Sequence, residues 1–358
     1  MDEVLLKPRP IPKSKASPKR ILLLTDWVVK NDDWSFLRAM RSLGYHCQVV
    51  GMNLPRKYNK KIQKVILLWP GYLIIGLKGF LKSHSVDVVI AYQGVAGLFF
   101  SLFKILSLRR KPKLVLMTFF FRKRKNKFYD RLRYTFTKFT LRAIDGVICY
   151  SRKEAGYYNQ LFGCKVPKFY FVPFGINFAR TQEMISERIE SQSYIFSAGT
   201  SNRDYRTLFE AVAGLDTRVV VVTKKFNVRG LTVPQNVEIK FDIYGHEFYE
   251  LMRKCRFVVV TLQDERISSG QLVLLESMAL GKAVIASKTW GTEDYLIDNV
   301  NALLVPLRDS QTLRRRIQEL LTDVEKCRVL GQNARQTVQN KFTIQHLAKN
   351  VSDLIQDL

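Results

Sequence analysis

Short apolar runs alternate with helix-length amphipathic segments along most of the 358-residue chain. The runs are nearly continuous in Val, Ile and Leu, which is typical of parallel strands buried on both faces of a sheet. Helices are expected between them, for example over Asp33–Leu43 and Gln271–Leu280. We predict twelve strands, six in each half: Ile21–Asp26, Cys47–Val50, Val86–Ala91, Leu114–Thr118, Gly146–Ser151, Phe169–Pro173, Tyr194–Ala198, Arg218–Thr223, Val237–Phe241, Phe257–Leu262, Ala283–Ser287 and Leu303–Pro306.

The polar, non-repeating segment Asn177–Ser193 divides this pattern into two similar halves. We therefore predict an α/β protein with two Rossmann-like, doubly wound parallel-sheet domains facing a cleft. The predicted domains are residues 20–178 and 179–342, preceded by a flexible basic arm at residues 1–19 and followed by a terminal helix at residues 343–358. Ligands of such sheets bind at the carboxyl ends of the strands, so the cleft is the expected site.

The composition, with 47% hydrophobic and 25% charged residues, is that of a globular protein and excludes disordered and fibrous classes. The five cysteines are far apart and form no CxxC pair, which disfavours a disulfide scaffold and indicates a reducing cytosol. None of the four histidines lies at ligand spacing from another histidine or a cysteine, so no metal site is expected. The most apolar stretch, Val65–Leu77, is too short to span a membrane.

The net charge of +27 is concentrated in one half of the chain. Residues 1–180 hold 35 Lys and Arg against 9 Asp and Glu, whereas residues 181–358 hold 23 against 22. This asymmetry indicates that the first half faces a polyanion, either nucleic acid or an anionic membrane. The alternative is an ordinary solvated basic surface, which would be expected to spread over both halves.

Aromatic residues are interleaved with the cations of Arg122–Arg142, and Lys57–Leu81 has a similar mixture. Basic residues with aromatic anchors suit an anionic membrane interface, although these aromatics could instead belong to the core. We predict a membrane-binding cluster whose members are cations at the start of the first segment: Arg122, Lys123, Arg124, Lys125 and Lys127.

The chain lacks the phosphate-binding patterns GxxxxGK[ST] and GxGxxG, and it lacks a DxD pair for a divalent metal. Its candidate anion site is Ser268–Gln271, a small-residue loop that enters a helix and offers free backbone amides. Glu276 follows in an apolar run, where a carboxylate needs a partner such as the two hydroxyls of a ribose. It could equally face water or pair with a nearby base.

The pattern Gly270-x5-Glu276-x-Met278-Ala279-x-Gly281-Lys282 resembles the donor-site signature of retaining GT-B glycosyltransferases of family 4. Ser197–Tyr205 is similar to the family's glycine turn and diphosphate segment, and Thr289–Leu304 and Val172–Asn177 are similar to two further motifs. The resemblance covers about the whole second half. It implies a GT-B fold whose terminal helix returns to the first domain.

The resemblance also implies the roles of individual residues. Glu276 would accept hydrogen bonds from the donor's ribose, and Arg203 and Lys224 would be the diphosphate cations, so that these three form the catalytic set. The implied donor-binding residues are Gly199, Thr200, Arg203, Lys224, Ser268, Ser269, Gly270, Gln271, Leu272 and Glu276. The donor would be a UDP- or GDP-sugar, with no further cofactor and no metal.

Three departures from the family pattern bear on the substrate. Ser268 stands where the family has a carboxylate that holds the transferred sugar, and Thr200 stands where an arginine is common. Phe119–Phe121 stands where many members have a histidine. The donor sugar and the acceptor therefore stay open.

Together these features predict a cytoplasmic glycosyltransferase, peripheral on the inner face of the cell membrane. It would transfer sugar from a nucleotide-sugar to a lipid or lipid-linked saccharide acceptor, with no nucleic acid as partner. Two alternatives remain, a basic nucleic-acid-binding α/β protein and a catalytically inactive sugar-nucleotide-binding module.

Overall fold

A computed structural model describes residues 20–29, 33–54, 61–122, 126–166, 168–185 and 194–358. Within these ranges the strands form two sheets of six strands each. The strands of the first sheet are β1 (Arg20–Thr25), β2 (His46–Gly51), β3 (Val88–Ala91), β4 (Lys113–Leu116), β5 (Gly146–Cys149) and β6 (Phe169–Phe171). The strands of the second sheet are β7 (Tyr194–Ala198), β8 (Arg218–Thr223), β9 (Val237–Phe241), β10 (Phe257–Val260), β11 (Val284–Ser287) and β12 (Leu303–Val305).

Helices occupy most of the connections. Those of the first half are α1 (Ser35–Ser42), α2 (Lys61–Lys82), α3 (Gly94–Leu106), α4 (Lys127–Thr140), α5 (Arg152–Leu161) and α6 (Phe178–Ile185). Those of the second half are α7 (Tyr205–Val212), α8 (Lys225–Val228), α9 (His246–Lys254), α10 (Gln271–Ala279), α11 (Trp290–Glu293), α12 (Ser310–Thr322), α13 (Val324–Lys341) and α14 (Ile344–Asp357). Short 3-10 turns, Ser83–Ser85 and Leu141–Ala143, follow α2 and α4.

Both sheets are parallel and doubly wound, as the sequence predicts. The strand orders are β2-β1-β3-β4-β5-β6 and β12-β11-β10-β7-β8-β9. In β1, Leu22 and Leu24 pack into one core cluster and Ile21 and Leu23 into another on the opposite face. All four are at most 1% exposed. Burial on both faces explains why the strands are continuous apolar runs rather than alternating ones.

Helices cover the two faces of the first sheet from different parts of the chain. Side chains of α2, α3, α4 and α5 pack against the face that carries Leu22. The opposite face is covered by α1 and by α14, the last helix of the chain. The Tyr45 hydroxyl and Ser352 Oγ lie 2.8 Å apart in this second interface. The first domain is therefore completed by residues from the end of the sequence.

The chain crosses between the domains twice, at neighbouring points. Val172 still packs in the first domain, whereas Ile176 packs in the core of the second. The return crossing runs beside it, since the Ile176 amide donates to Phe342 O at 2.9 Å and the Ile344 amide donates to Ile176 O at 2.7 Å. The segment Asn177–Ser193, predicted as a polar connection, begins with α6 because Phe178 packs against the second core. Residues 186–193 and the predicted arm at residues 1–19 lie outside the described residues.

Candidate functional site

The predicted donor residues of the second domain converge at the carboxyl ends of three adjacent strands. Gly199 follows β7, Lys224 follows β8, and the loop that ends at Gly270 follows β10. The carbonyl of Gly199 accepts hydrogen bonds from Thr223 Oγ1 at 2.8 Å and from the Tyr205 hydroxyl at 2.7 Å. These bonds hold the ends of β7 and β8 together beneath the cleft.

Arg203 is a buried cation that forms no ion pair with any described residue. Its residue is 6% exposed, and burial lowers the pKa of its guanidinium. Nε donates to Ala198 O and Nη1 donates to Ser201 O, each at 2.8 Å. The adjacent carboxylate, Asp204, instead caps α7 by accepting from the Thr207 amide at 3.1 Å. Among the described residues no Asp or Glu forms an ion pair with Arg203, so Nη2 remains available for an anion.

Two glycines lie against the Arg203 guanidinium. Gly199 has φ +123°, and a β-carbon there would lie 2.3 Å from Arg203 Nη2, too close for any side chain. Gly270 has φ +92°, and a β-carbon there would lie 3.5 Å from Arg203 Nη1. The backbone of Gly199 can therefore approach the guanidinium only because it carries no side chain, whereas at Gly270 the positive φ is what favours glycine.

The loop that leads into α10 presents unpaired donors on the same side. Gly270 is the N-cap of α10 and provides no side-chain cap, so the first amides of the helix lack acceptors. The hydroxyls of Ser268 and Ser269 are buried and make no hydrogen bond of acceptable geometry. The Gln271 side chain donates to Gly291 O at 3.2 Å, which fixes the loop against α11. Arg203 and the start of α10 together offer the donors that an anion would need.

The other predicted donor residues differ in exposure. Lys224 is half-buried, and within the described part of the chain it has neither an ion-pair partner nor a side-chain hydrogen bond. It can therefore supply a second cation to the same edge of the sheet. Thr200 is exposed, and Leu272 in the first turn of α10 is 52% exposed.

Glu276 is a buried carboxylate that faces α9. Its residue is 8% exposed, and the Tyr249 hydroxyl donates to Oε1 at 2.5 Å. Burial raises the pKa of Glu276 to about 7, with the Tyr249 hydroxyl and the more distant Arg180 opposing the shift. Arg180 lies over the Tyr249 ring, 5.0 Å from its centre. No cation of the described chain is within ion-pair distance of Glu276, and Oε2 has no hydrogen-bond donor there.

Sequence reasoning did not find Tyr249 or Arg180. Tyr249 lies in α9 and Arg180 in α6, and nothing in the spacing of either residue relates it to Glu276. Only the packing of α6 and α9 beside α10 brings them together.

The first domain contributes a different set of groups to the cleft. After β4, Phe119 and Phe121 pack in the core, whereas Phe120 is 55% exposed. After β1, the Asp26 carboxylate accepts from Gln93 Nε2 at 3.2 Å and from the Tyr72 hydroxyl at 3.4 Å. These bonds hold the Asp26 carboxylate in place at the carboxyl end of β1.

Helices α5 and α11 connect the two domains across the cleft. Lys153 Nζ lies 2.7 Å from Glu293 Oε2, and Arg152 Nε lies 3.4 Å from Asp294 Oδ1. The Tyr295 hydroxyl accepts from the Phe174 amide and donates to Tyr150 O, each at 2.9 Å. The domains are therefore in contact at one side of the site.

The predicted membrane cluster is only partly within the described residues. Arg122 Nη2 lies 3.8 Å from Asp264 Oδ2 of the second domain, so this side chain is at the cleft. Lys127 begins α4 and is exposed, and Lys123, Arg124 and Lys125 lie outside the described residues. Across the described ranges, no helix combines the length and apolar character that a bilayer span requires.

Comparison with known proteins shows which family the chain resembles. Residues 208–337 match the family model described as "Glycosyl transferases group 1". The chain is also 24% identical over 327 residues to the uncharacterized glycosyltransferase MJ1178 of Methanocaldococcus jannaschii, an alignment that covers 87% of this chain and 85% of that protein. The second half of the chain thus resembles group 1 glycosyltransferases, and the chain is similar to a glycosyltransferase over most of its length.

Solved structures show the fold of this chain. Sucrose-phosphate synthase from Thermosynechococcus elongatus superposes with a TM-score of 0.70 at 18% identity, covering 95% of this chain and 98% of that chain. Anabaena Alr3699/HepE in complex with UDP and glucose superposes with a TM-score of 0.65 at 16% identity, covering 95% of this chain and 100% of that chain. The predicted GT-B architecture is confirmed.

Proposed function

We propose that this glycosyltransferase takes a sugar from a UDP- or GDP-sugar and transfers it, with retention and without a metal, to a lipid or lipid-linked saccharide at the inner membrane face. The observation that carries the donor assignment is Arg203, a buried guanidinium without an anionic partner beside the open start of α10. The similar HepE fold, solved with UDP and glucose, supports the same class of donor.

The donor's two halves match two separate features of the second domain. The diphosphate suits Arg203 and the first amides of α10, because a guanidinium fork and oriented amides both bind phosphate oxygens. The ribose suits Glu276, whose Oε2 can accept from a sugar hydroxyl while Oε1 keeps the Tyr249 bond. Glu276 lies about one and a half turns into α10 from Gly270. Ribose and diphosphate are therefore bound by adjacent parts of one helix.

These groups also favour the transfer step. When the bond between the sugar and the diphosphate breaks, negative charge increases on the departing phosphate. Arg203, held by two hydrogen bonds, and Lys224 are cations at that edge of the sheet, and they stabilise this charge in the way that a divalent metal does in other sites. The proposed retention and metal independence follow the family resemblance. Both can be tested by the anomeric configuration of the product and by turnover in EDTA.

The proposed membrane surface is the outer side of α2, α3 and α4, here called the α2–α4 face. The Trp69, Phe99 and Phe136 rings form a line across these helices, with ring centres 5.9 and 6.1 Å apart. Large apolar side chains on these helices or just after α3 are between 39% and 89% exposed: Trp69, Leu73, Ile74, Leu77, Leu81, Leu106, Leu108, Phe128 and Leu132. So many large apolar residues on one domain face indicate an interaction surface.

Cations border the α2–α4 face. Exposed members include Lys78 and Lys82 on α2, Arg110 after α3, and Lys127 and Arg131 on α4. Each Lys or Arg close to an anionic bilayer contributes about 1 kcal/mol, and the apolar side chains add burial at the interface. Cations beside exposed apolar side chains suit an anionic membrane better than nucleic acid. A membrane has a hydrocarbon region in which leucine side chains can be buried, and nucleic acid has none.

The donor assignment is tested by thermal unfolding with a panel of nucleotides and nucleotide sugars. A ligand at 100 times its Kd should stabilise the protein by about 2.7 kcal/mol. Stabilisation by UDP or GDP together with release of that nucleotide in the presence of acceptor supports the proposal. Binding without release would favour the inactive sugar-nucleotide-binding module, and no stabilisation by any of the nucleotides contradicts the donor site.

The membrane assignment is tested by co-sedimentation with neutral and anionic vesicles at two salt concentrations. The variant Phe128→Ser, Arg131→Ser, Leu132→Ser removes exposed groups of the α2–α4 face, and Arg315→Ser, Val324→Ser is the matched control on the second domain. We expect the wild-type protein to bind anionic vesicles but not neutral ones, and to bind less at high salt. Binding should be lost in the first variant and kept in the control. Equal recovery on both vesicles, or retention of DNA instead, would favour the nucleic-acid alternative.

A further inference from the structure

A second buried carboxylate, Glu154, reaches the donor loop from the first domain. It lies in the first turn of α5, and its residue is 4% exposed. The pattern Ser151-x-x-Glu154 is that of a capping box, in which the glutamate side chain would return to the Ser151 amide. Here Ser151 caps α5 by accepting from the Glu154 amide, but the carboxylate instead approaches Ser268 of the second domain.

Among the described residues, no positive charge pairs with the Glu154 carboxylate. The Tyr158 hydroxyl lies 3.4 Å from Oε1, at the limit of a hydrogen bond, and no cation of the described chain forms an ion pair with the carboxylate. Burial raises its pKa to about 7, with the Ser268 hydroxyl and amide and the Tyr158 hydroxyl opposing the shift. Ionising the Glu154 carboxylate is therefore unfavourable in the cleft without a ligand. A new hydrogen-bond donor would stabilise the ionised form.

The serines opposite Glu154 are also unsatisfied. Ser268 Oγ lies close enough to lower the pKa of Glu154, yet neither Ser268 Oγ nor Ser269 Oγ makes a hydrogen bond of acceptable geometry. The Glu154 carboxylate and the buried Ser268 hydroxyl, neither with a good partner, thus meet between the domains, and the buried Ser269 hydroxyl is next to Ser268 in the chain. An uncharged polyol such as a sugar offers donors and acceptors that complement all three.

The order of groups along the loop and helix indicates which part of the donor lies here. Gly270, beside the Arg203 guanidinium, stands in the chain between Ser268, which faces the first domain, and Glu276, which faces α9. A nucleoside-diphosphate sugar has the same linear order of sugar, diphosphate and ribose. If the ribose is at Glu276 and the diphosphate at Arg203, the sugar reaches Ser268.

We propose that Glu154 is a specificity-determining residue, which binds a hydroxyl of the transferred sugar together with Ser268 and Ser269. This inference rests on the proposed nucleotide-sugar donor. Because Glu154 belongs to the first domain, the nucleotide is held by the second domain alone, whereas the sugar is held by both. A carboxylate at this position also repels acidic sugars, so the transferred sugar is neutral.

The test compares the Kd of a sugar nucleotide with that of its parent nucleotide by calorimetry. The probes are UDP, GDP, UDP-glucose, GDP-mannose and UDP-glucuronate. Glu154→Gln should weaken the best-binding neutral sugar nucleotide about tenfold or more and leave the parent nucleotide unchanged, since a charge-assisted hydrogen bond is lost. It should also reduce the wild-type preference for UDP-glucose over UDP-glucuronate.

Lys153→Gln is the matched control, because it breaks the contact to Glu293 across the same interface without touching the carboxylate. It should leave the ratio of the two Kd values unchanged. If both affinities fall together in Glu154→Gln, the residue merely supports the loop and the inference is wrong. An unchanged ratio with normal nucleotide binding also overturns it, whereas absence of any nucleotide binding to the wild type refutes the proposed function itself.

Discussion

Replacing Glu276 by Gln should stabilise the free protein against unfolding and should weaken its binding of the nucleotide. The carboxylate is buried, its one hydrogen-bond donor among the described residues is the Tyr249 hydroxyl, and its pKa is raised to about 7 from 4.5. Between these two pH values the folded protein holds the proton and the unfolded chain releases it. Stability therefore falls as pH rises from 4.5 to 7, and the full penalty applies above about pH 7.

The size of this penalty follows from the shift. A difference of about 2.5 pKa units corresponds to about 3 kcal/mol at pH 8, and to less than about 1 kcal/mol at pH 5. A glutamine has nearly the same shape, and its carbonyl can still accept from the Tyr249 hydroxyl. Glu276→Gln should thus remove most of the penalty. The same substitution should lower the affinity for the nucleotide about 10- to 150-fold, because a charge-assisted hydrogen bond to the ribose is lost.

The assay is thermal unfolding of wild type and Glu276→Gln at pH 5 and pH 8, with the exposed Glu247→Gln on α9 as control. For a domain of this size, each kcal/mol corresponds to about 2–4 °C. We expect a gain of several degrees at pH 8, little change at pH 5, and none in the control. A gain that is equal at the two pH values, or a loss at pH 8, would refute the argument from burial. Unchanged nucleotide affinity in Glu276→Gln would show that Glu276 does not bind the ribose.

Arg203→Ala should lower kcat at least 100-fold, as measured by nucleoside diphosphate release, because leaving-group charge grows toward the transition state. Gly199→Ala should weaken nucleotide binding in a titration without touching the ligand, since the new β-carbon would displace Arg203; wild-type affinity would contradict this geometry. Turnover should survive exhaustive EDTA treatment, and a loss restored by Mg²⁺ would show that the cations are insufficient. Tyr295→Phe should destabilise the protein by about 1–3 kcal/mol in urea unfolding, because the Phe174 amide loses its acceptor; no change would mean that water replaces the hydroxyl.

The regular elements were largely predictable because local pattern determines them. The predicted strands Tyr194–Ala198, Arg218–Thr223 and Val237–Phe241 have the observed bounds of β7, β8 and β9. In a parallel sheet that is covered on both faces, almost every strand residue is buried, so the run of apolar residues marks the strand itself. Helix α6 was not predicted, since its sequence is polar and only Phe178 packing on the second core indicates it.

The candidate donor site could be proposed from sequence because most of its residues lie in two short segments, Gly199–Arg203 and Ser268–Glu276. The glycines and the small-residue entry to α10 identify an anion site through local backbone chemistry alone. The sequence did not decide whether Glu276 faces water or a base. Burial beside Tyr249, without an ion pair, excludes both.

The sequence by itself determined the two doubly wound sheets, the candidate anion site at the start of α10 and the charge asymmetry between the halves. Each of these features depends on residues that are neighbours in the chain. The tertiary structure alone decided which side chains meet across the cleft. Arg122 lies beside Asp264 at the cleft, although its neighbours in sequence suggested a membrane cluster. Glu154 lies against Ser268, a contact that the sequence analysis did not predict. Such contacts depend on how the two domains pack against each other, which no local pattern of residues encodes.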